Sequence, residues 1–204
     1  MIMTDLGGII LAGGRSERMG ADKALLAFAH ATLIEFLTRE LSGAVREVIV
    51  VTREPEKFRF LSIPVITDVF GESCSLSGLH AGLLYSKFQH NFVLACDLPL
   101  LDARLVSCLA AVIGSTTRIV VPQGGKGFES LCAFYSKDLL PSIVSNRAAG
   151  RLALQDLYIP SHTVFVNTND LEKLTHPDVF FNMNSQDDYE KALELFEALQ
   201  KKKG

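Results

Sequence analysis

Apolar residues fall along the chain in short uninterrupted runs and in helical spacings that alternate through the first half. Gly7 to Leu11 reads as a short buried strand, followed by a glycine-rich loop from Ala12 to Asp22. From Thr32 to Leu41, apolar residues at Leu33, Leu37 and Leu41, with Ile34 beside them, repeat at the i, i+4, i+8 spacing of an amphipathic helix. Val48–Val51 is a β-branched run typical of a strand buried on both faces, and Pro64 to Thr67 reads as a second such piece. Leu76 to Phe88 predicts a helix whose small residues Gly78, Ala81 and Gly82 permit close packing on a sheet. Phe92 to Ala95 predicts another buried strand, ended by Cys96-Asp97-Leu98-Pro99. Asp102 stands where a helix to about Ile113 would take its N-cap.

Three alternations of strand and helix predict an α/β fold with a mostly parallel, doubly wound sheet. The second half is less regular. Arg118 to Pro122 and Leu131 to Tyr135 read as strands around a Gly124-Gly125-Lys126-Gly127 turn. Helices are expected from about Asp138 to Val144 and from about Gly150 to Leu157, with short strands at Val164–Val166 and Val179–Phe181. A last helix is expected from Ser185 to Leu199, with Ser185 as N-cap and Asp188 at the capping-box position. Val166-Asn167-Thr168-Asn169 and Phe181-Asn182-Met183-Asn184 are near-duplicates that read as coincidence. The expected organisation is one domain over residues 1–204, with a nucleotide-binding half to about 115 and an acceptor-binding half beyond it.

Composition narrows the function classes. The 204 residues are 48% hydrophobic and 21% charged, with a formal net charge of -3. That balance suits a folded enzyme-sized domain and argues against a broad nucleic-acid surface. No charged segment followed by a long apolar stretch opens the chain, and no apolar run approaches a membrane span. The four cysteines form no Cys-x-x-Cys pair and read as buried free thiols, so the expected location is cytoplasmic. The five histidines show no zinc-ligand spacing, and no Gly-x-Ser-x-Gly elbow is present.

The stretch with most chemistry runs from Leu11 to Lys23. It follows a strand, where nucleotide sites of open α/β sheets gather. Gly13 and Gly14 allow a tight turn and bring backbone N–H groups close to an anion. Arg15, Arg18 and Lys23 add three cations within nine residues, suited to a triphosphate and its leaving pyrophosphate. The spacing is neither Walker A nor the dinucleotide G-x-G-x-x-G pattern. A connection with solvated charges has the same composition. Asp97 follows directly on a predicted central strand, at the same sheet edge as the loop. There it could hold a magnesium ion or simply open the turn before Pro99.

The string Leu11-Ala12-Gly13-Gly14-Arg15-Ser16-Glu17-Arg18-Met19-Gly20-Ala21-Asp22-Lys23 resembles the L-A-G-G-x-S-x-R-M-G-x-D-K signature of the molybdenum cofactor guanylyltransferase family, and meets every fixed position. Cys96-Asp97-Leu98-Pro99 is similar to that family's C-D-x-P motif. Ser75-Leu76-Ser77-Gly78-Leu79 is similar to its P-L-x-G-L segment, with Ser75 in place of Pro. Asn182-Met183-Asn184 is similar to its N-x-N segment, with Ser185 and Gln186 departing from the Thr-Pro that follows there. The likeness spans roughly the whole chain, sharper before Gly124 than after it.

The resemblance implies a Rossmann-like three-layer fold of the nucleotide-diphospho-sugar-transferase kind. It implies transfer of GMP from Mg-GTP to the phosphate of molybdopterin or molybdenum-molybdopterin, with other cofactor-biosynthesis proteins or molybdoenzymes as further partners. On that reading Leu11, Ala12, Gly13, Gly14 and Lys23 hold the triphosphate, and Arg18, Lys23 and Asp97 carry catalysis, with Mg²⁺ on Asp97. Thr52, Asp68 and Gly78 meet the nucleotide, and Asn182 or Asn184 meets the acceptor or the metal. Gly150-Arg151 is a candidate for the acceptor's phosphate. Two alternatives stay open: a cytidylyltransferase acting on the same or another phosphorylated acceptor, and a nucleotide- or cofactor-binding protein without activity.

Overall fold

The computed structural model describes residues 3–13, 22–67, 70, 74–125 and 127–203. Strand β1 (Met3–Leu11) is followed by a small hairpin, β2 (Ala27–Phe28) and β3 (Ala31–Thr32), and by helix α1 (Leu33–Ser42). Then come β4 (Val45–Val51), β5 (Val65–Ile66), α2 (Ser75–Tyr85), β6 (His90–Ala95) and α3 (Ala103–Ala110). The second half contains β7 (Ile119–Gly124), β8 (Gly127–Phe128), β9 (Cys132–Ser136), α4 (Leu140–Ala148), β10 (Thr163–Asn167), α5 (Thr168–Leu174) and α6 (Gln186–Lys203).

Among the described residues one eight-stranded sheet runs in the order β10-β7-β9-β6-β1-β4-β5, with β8 paired to β7. Strands β4, β1 and β6 are parallel neighbours in the middle, and only β9 and β8 run against the rest. The sheet is therefore mixed but mostly parallel. Its parallel strands all end on one edge, at Leu11, Val51, Ile66, Ala95, Gly124 and Asn167.

Alternation along β1 sends Ile10 to one core and Ile9 and Leu11 to the other. The first core lies under α1, α3, α5 and α6, the second under α2 and α4. Helix α2 lies close to β1: a methyl group on Gly82 would stand 2.6 Å from Ile9 Cγ2, which only a residue without a side chain avoids. At Gly78 the approach is looser, 3.2 Å to Leu11 Cδ2. Helix α1 starts with a complete capping box, Thr32 with Glu35, and Asp102 caps α3 through the Arg104 N–H.

Several expectations need correction. Gly150 to Leu157 is not an α-helix but a loop ending in one 3₁₀ turn, Leu154–Leu157. Asn146 pins that loop: its Oδ1 accepts from Arg151 Nε and Nη2, and its Nδ2 donates to the Asp156 carbonyl. Val179–Phe181 is a turn, not a strand, because Met183 must travel on to Asp97. Helix α2 stops at Tyr85, with Ser86 extended and turned onto Asn91, and α3 stops at Ala110. The segment from Asp138 begins as a 3₁₀ turn, and α4 proper starts at Leu140. Helix α5 and the β2–β3 hairpin were not foreseen; Ala29 (φ 51°) and His30 (φ 67°) make that hairpin's turn without a glycine. Both Asn-rich near-duplicates lead into helices: Asn167 caps α5, while Ser185, just after Asn184, caps α6. Among the described residues no helix is long and apolar enough to cross a membrane.

Candidate active site

The first strand delivers the glycine loop to the carboxyl edge. Ala12 N–H continues the sheet by donating to the Val51 carbonyl at 2.9 Å, and Leu11 and Ala12 are buried there. Gly13 is exposed, has no positive φ, and would meet no described atom within 4 Å if it carried a side chain. Neither strain nor packing by a described residue accounts for glycine at that place. Gly14, Arg15, Arg18 and Asp68, all expected in the site, lie outside the described residues.

The chain is described again at Asp22, which accepts from the Ala24 N–H and starts a 3₁₀ turn, Lys23–Leu25. This local cap aims Lys23 across the edge toward a segment 160 residues away. Its Nζ donates to the Met183 carbonyl at 2.6 Å and to Asn184 Oδ1 at 2.9 Å. Met183 is fully buried, and its N–H donates to the Asp97 carbonyl at 2.8 Å. Three pieces distant in sequence, Lys23, Asp97 and Asn182–Asn184, therefore share one corner of the sheet edge.

The first turn of α6 holds this corner in place. Asp188 Oδ2 accepts from the N–H groups of Asn184 and Ser185, both at 2.9 Å, while its own N–H donates to Ser185 Oγ. This is the anticipated capping box with Asp in the acidic position. The hydrogen bonds to Asn184 and Ser185 hold the Asp188 carboxyl below its usual range. Tyr189 next donates its hydroxyl to the Ala27 carbonyl at 2.7 Å, tying α6 to the β2–β3 hairpin. Sequence reasoning missed Tyr189, which shows no signal beyond a partly polar position on an amphipathic helix. Phe196, further along α6, packs on Phe28 and Phe36 with ring centroids 5.1 and 5.3 Å away.

Asp97 is half-buried at the end of β6. Burial pushes its carboxyl above the ordinary value, and the Lys23 ammonium and its own backbone N–H offset part of that rise. A carboxylate deprived of water in this way favours a cation. Among the described residues no three His, Cys, Asp or Glu side chains gather as a complete metal cage. A single carboxylate fits a hard divalent ion that takes one or two carboxylates and completes its shell with phosphate oxygens and water.

The remaining candidates are placed less directly. Thr52 is buried at the end of β4 and its hydroxyl accepts from the Glu54 N–H, closing its own turn. Gly78 lies one turn into α2, whose start has no side-chain cap on its first N–H groups. Asn182 is exposed and its amide reaches the Phe180 carbonyl at 3.3 Å. Arg151 is exposed, its guanidinium held by the neutral Oδ1 of the buried Asn146.

Comparison with known proteins agrees with this geometry. Residues 8–163 match the model of the MobA-like NTP transferase domain. The chain is 32% identical over 195 residues to a probable molybdenum cofactor guanylyltransferase of Carboxydothermus hydrogenoformans, covering 95% of this chain and 98% of that one. It is 30% identical over 188 residues to a probable molybdenum cofactor guanylyltransferase of Peptoclostridium acidaminophilum, covering 88% and 85%. In fold it is similar to molybdopterin-guanine dinucleotide biosynthesis protein A of Archaeoglobus fulgidus, with a TM-score of 0.79 and 21% identity over 94% of this chain and 99% of that one. With Gly13, Lys23 and Asp97 on one edge of a mostly parallel sheet, the chain belongs to the MobA-like NTP transferase family, as a nucleotidyltransferase.

Proposed function

We propose that the protein transfers GMP from Mg-GTP to the phosphate of molybdopterin, with or without molybdenum, and releases pyrophosphate. The observation that carries this reading is the convergence of Lys23, Asp97 and Asn184 at the carboxyl edge. The likeness to relatives named molybdenum cofactor guanylyltransferases supports the choice of substrates.

An acceptor phosphate oxygen attacks the α-phosphorus of GTP. The bond from that phosphorus to the bridging oxygen breaks, and pyrophosphate leaves with the electron pair. The acceptor phosphate is ionised at neutral pH, so its oxygen needs no general base. Gly13, Gly14, Arg18 and Lys23 hold the triphosphate, and Lys23 meets the charge that grows on the leaving group. Asp97 would hold Mg²⁺, which when bound would supply Lewis-acid neutralisation of phosphate charge. Thr52, Asp68 and Gly78 face the nucleoside. Asn182 or Asn184 meets the acceptor phosphate or the metal; residues to about 115 serve the nucleotide and those beyond serve the acceptor. Rate comes from alignment and charge neutralisation rather than from proton transfer. GTP and molybdopterin are the partners, other cofactor-biosynthesis proteins or molybdoenzymes further ones, and the cytoplasm the place of work.

Thermal shifts with Mg²⁺ and each of GTP, CTP, ATP and UTP test the nucleotide. A ligand at 100 times its Kd stabilises by roughly 2.7 kcal/mol. A shift with GTP alone, followed by pyrophosphate release on adding molybdopterin, is the expected result. A shift with CTP alone would replace guanine by cytosine, a choice that Ser75 in place of Pro keeps in play. No pyrophosphate with any nucleotide and acceptor would overturn the transferase reading.

A further inference from the structure

An aromatic array stands on the acceptor half, beyond the residues placed at the reacting phosphates. Phe128 on β8, Tyr158 after the 3₁₀ turn and Phe165 on β10 meet one another with ring centroids 5.2, 5.5 and 6.2 Å apart. The array is not simply core. Phe165 is 40% exposed on the edge strand, and Phe128 and Tyr158 are half-buried. One side of the Phe165 ring packs on Phe128 and Tyr158, and the rest of it stands open to water on an edge strand.

The array has a polar foot. Tyr158 donates its hydroxyl to Ser130 Oγ at 2.7 Å and lies 3.2 Å from the Tyr135 hydroxyl, which donates to the Ser130 carbonyl at 2.8 Å. The closed set of Ser130, Tyr135 and Tyr158 fixes the Tyr158 ring, so the surface is rigid before anything binds. Its position suits an acceptor. Leu131, next to Ser130, accepts the hydrogen bond from Ala95 N–H, two residues before Asp97. Neighbouring strands stand about 4.8 Å apart, so β7 and β10 lie roughly 10 and 14 Å from β6 along the sheet. A molecule whose phosphate is at Asp97 can lay fused rings across that span.

We infer that Phe128, Tyr158 and Phe165 form the subsite for the fused heterocycle of the acceptor, a pterin, which stacks on the exposed face of the Phe165 ring. This rests on molybdopterin being the acceptor. Stacking of a heterocycle on an aromatic side chain contributes about 1–3 kcal/mol, so its loss is worth roughly fivefold or more in affinity.

The test uses the full chain and Phe165→Ala, a change at an exposed position that leaves the fold intact. Turnover is measured against molybdopterin at saturating Mg-GTP. Binding of 6-hydroxymethylpterin, which has no phosphate, is followed by its own fluorescence. Expected are a rise of roughly fivefold or more in the KM for molybdopterin, a matching loss of pterin affinity, and unchanged KM for GTP and GTP thermal shift. Phe165→Tyr restores both acceptor readouts. Unchanged pterin binding in both Phe165→Ala and Phe128→Ala overturns the inference. So does a dimer that becomes monomeric in Phe165→Ala, because the array is then a contact between copies. Absence of any GTP shift or pyrophosphate in the parent protein defeats the transferase reading instead, while the pterin titration still judges the array.

Discussion

Lys23 Nζ and the carbonyl of Met183, 160 positions apart in sequence, are joined by a 2.6 Å hydrogen bond. Because Met183 N–H in turn holds the Asp97 carbonyl, the ammonium expected at the triphosphate and the carboxylate expected at the metal are spaced by a single buried residue. Lys23→Met removes the charge and keeps the stem. It is expected to lower kcat/KM with GTP at least 100-fold, on the scale of losing one preorganised charge at a developing anion. The melting temperature should fall by only a few degrees, since Lys23 is at the edge of the core. Normal turnover in this variant would remove Lys23 from the mechanism.

Asp97→Asn separates function from stability by pH. Burial raises the Asp97 carboxyl in the folded protein, so folding favours its protonated form. That contribution is fully present below the unfolded value of about 3.9 and is lost as pH rises through the raised folded value. The parent therefore bears the cost of a desolvated carboxylate at pH 7, and the asparagine variant does not. Urea midpoints should show Asp97→Asn more stable than the parent at pH 7.5, with the gap narrowing toward pH 4. Turnover should drop by about two orders of magnitude or more at every pH where the parent is active.

Gly78 and Gly82 make a matched pair on α2. Gly82→Ala drives a methyl to 2.6 Å from the fully buried Ile9, and about 1–3 kcal/mol of stability should be lost. Gly78→Ala meets Leu11 at 3.2 Å, a clash that a small shift relieves. A near-parental melting curve together with a raised KM for GTP in Gly78→Ala would place this glycine against the nucleotide. A parental KM would leave it a packing residue only.

Asp188→Ala tests the hold of α6 on Asn184. The carboxylate lies below its usual range because the Asn184 and Ser185 N–H groups donate to it. Its contribution is present above the unfolded carboxyl value and is lost as pH falls through the lowered folded value. In acid denaturation the variant and the parent should therefore differ at neutral pH and converge as pH falls through the lowered folded value. Turnover at pH 7 should fall more than the melting temperature does, because Asn184 loses its fixed backbone while the core under α6 remains.

Much of this was legible beforehand where one stretch of chain carries its own reasons. Val48–Val51 and Phe92–Ala95 are apolar on both faces and became β4 and β6; Asp102, and Ser185 with Asp188, marked helix starts through local caps. The losses came where distant contacts decide. Gly150 to Leu157 has helical spacing, yet Asn146 and the buried Leu154 and Leu157 draw it into a loop. Val179–Phe181 has strand composition but lies off the sheet, turning the chain toward Asp97. Of the site, Asp97 was visible as a carboxylate after a central strand. That Lys23 reaches Asn184 was not, because no spacing within one sequence reports a contact across 161 positions.

The clasp between Lys23 and Met183 also sets a clock on synthesis. Lys23 leaves the ribosome early, whereas Met183 and Asn184 are made about 160 residues later. At 5–20 residues per second that interval is roughly 8–32 s. Throughout it the glycine loop exists without the segment that seats its lysine, and Phe28 and Phe36 lack the Phe196 ring that covers them. A nascent chain thus passes through a long stage in which Lys23 has neither of its two partners, and both arrive together with the segment that leads into α6.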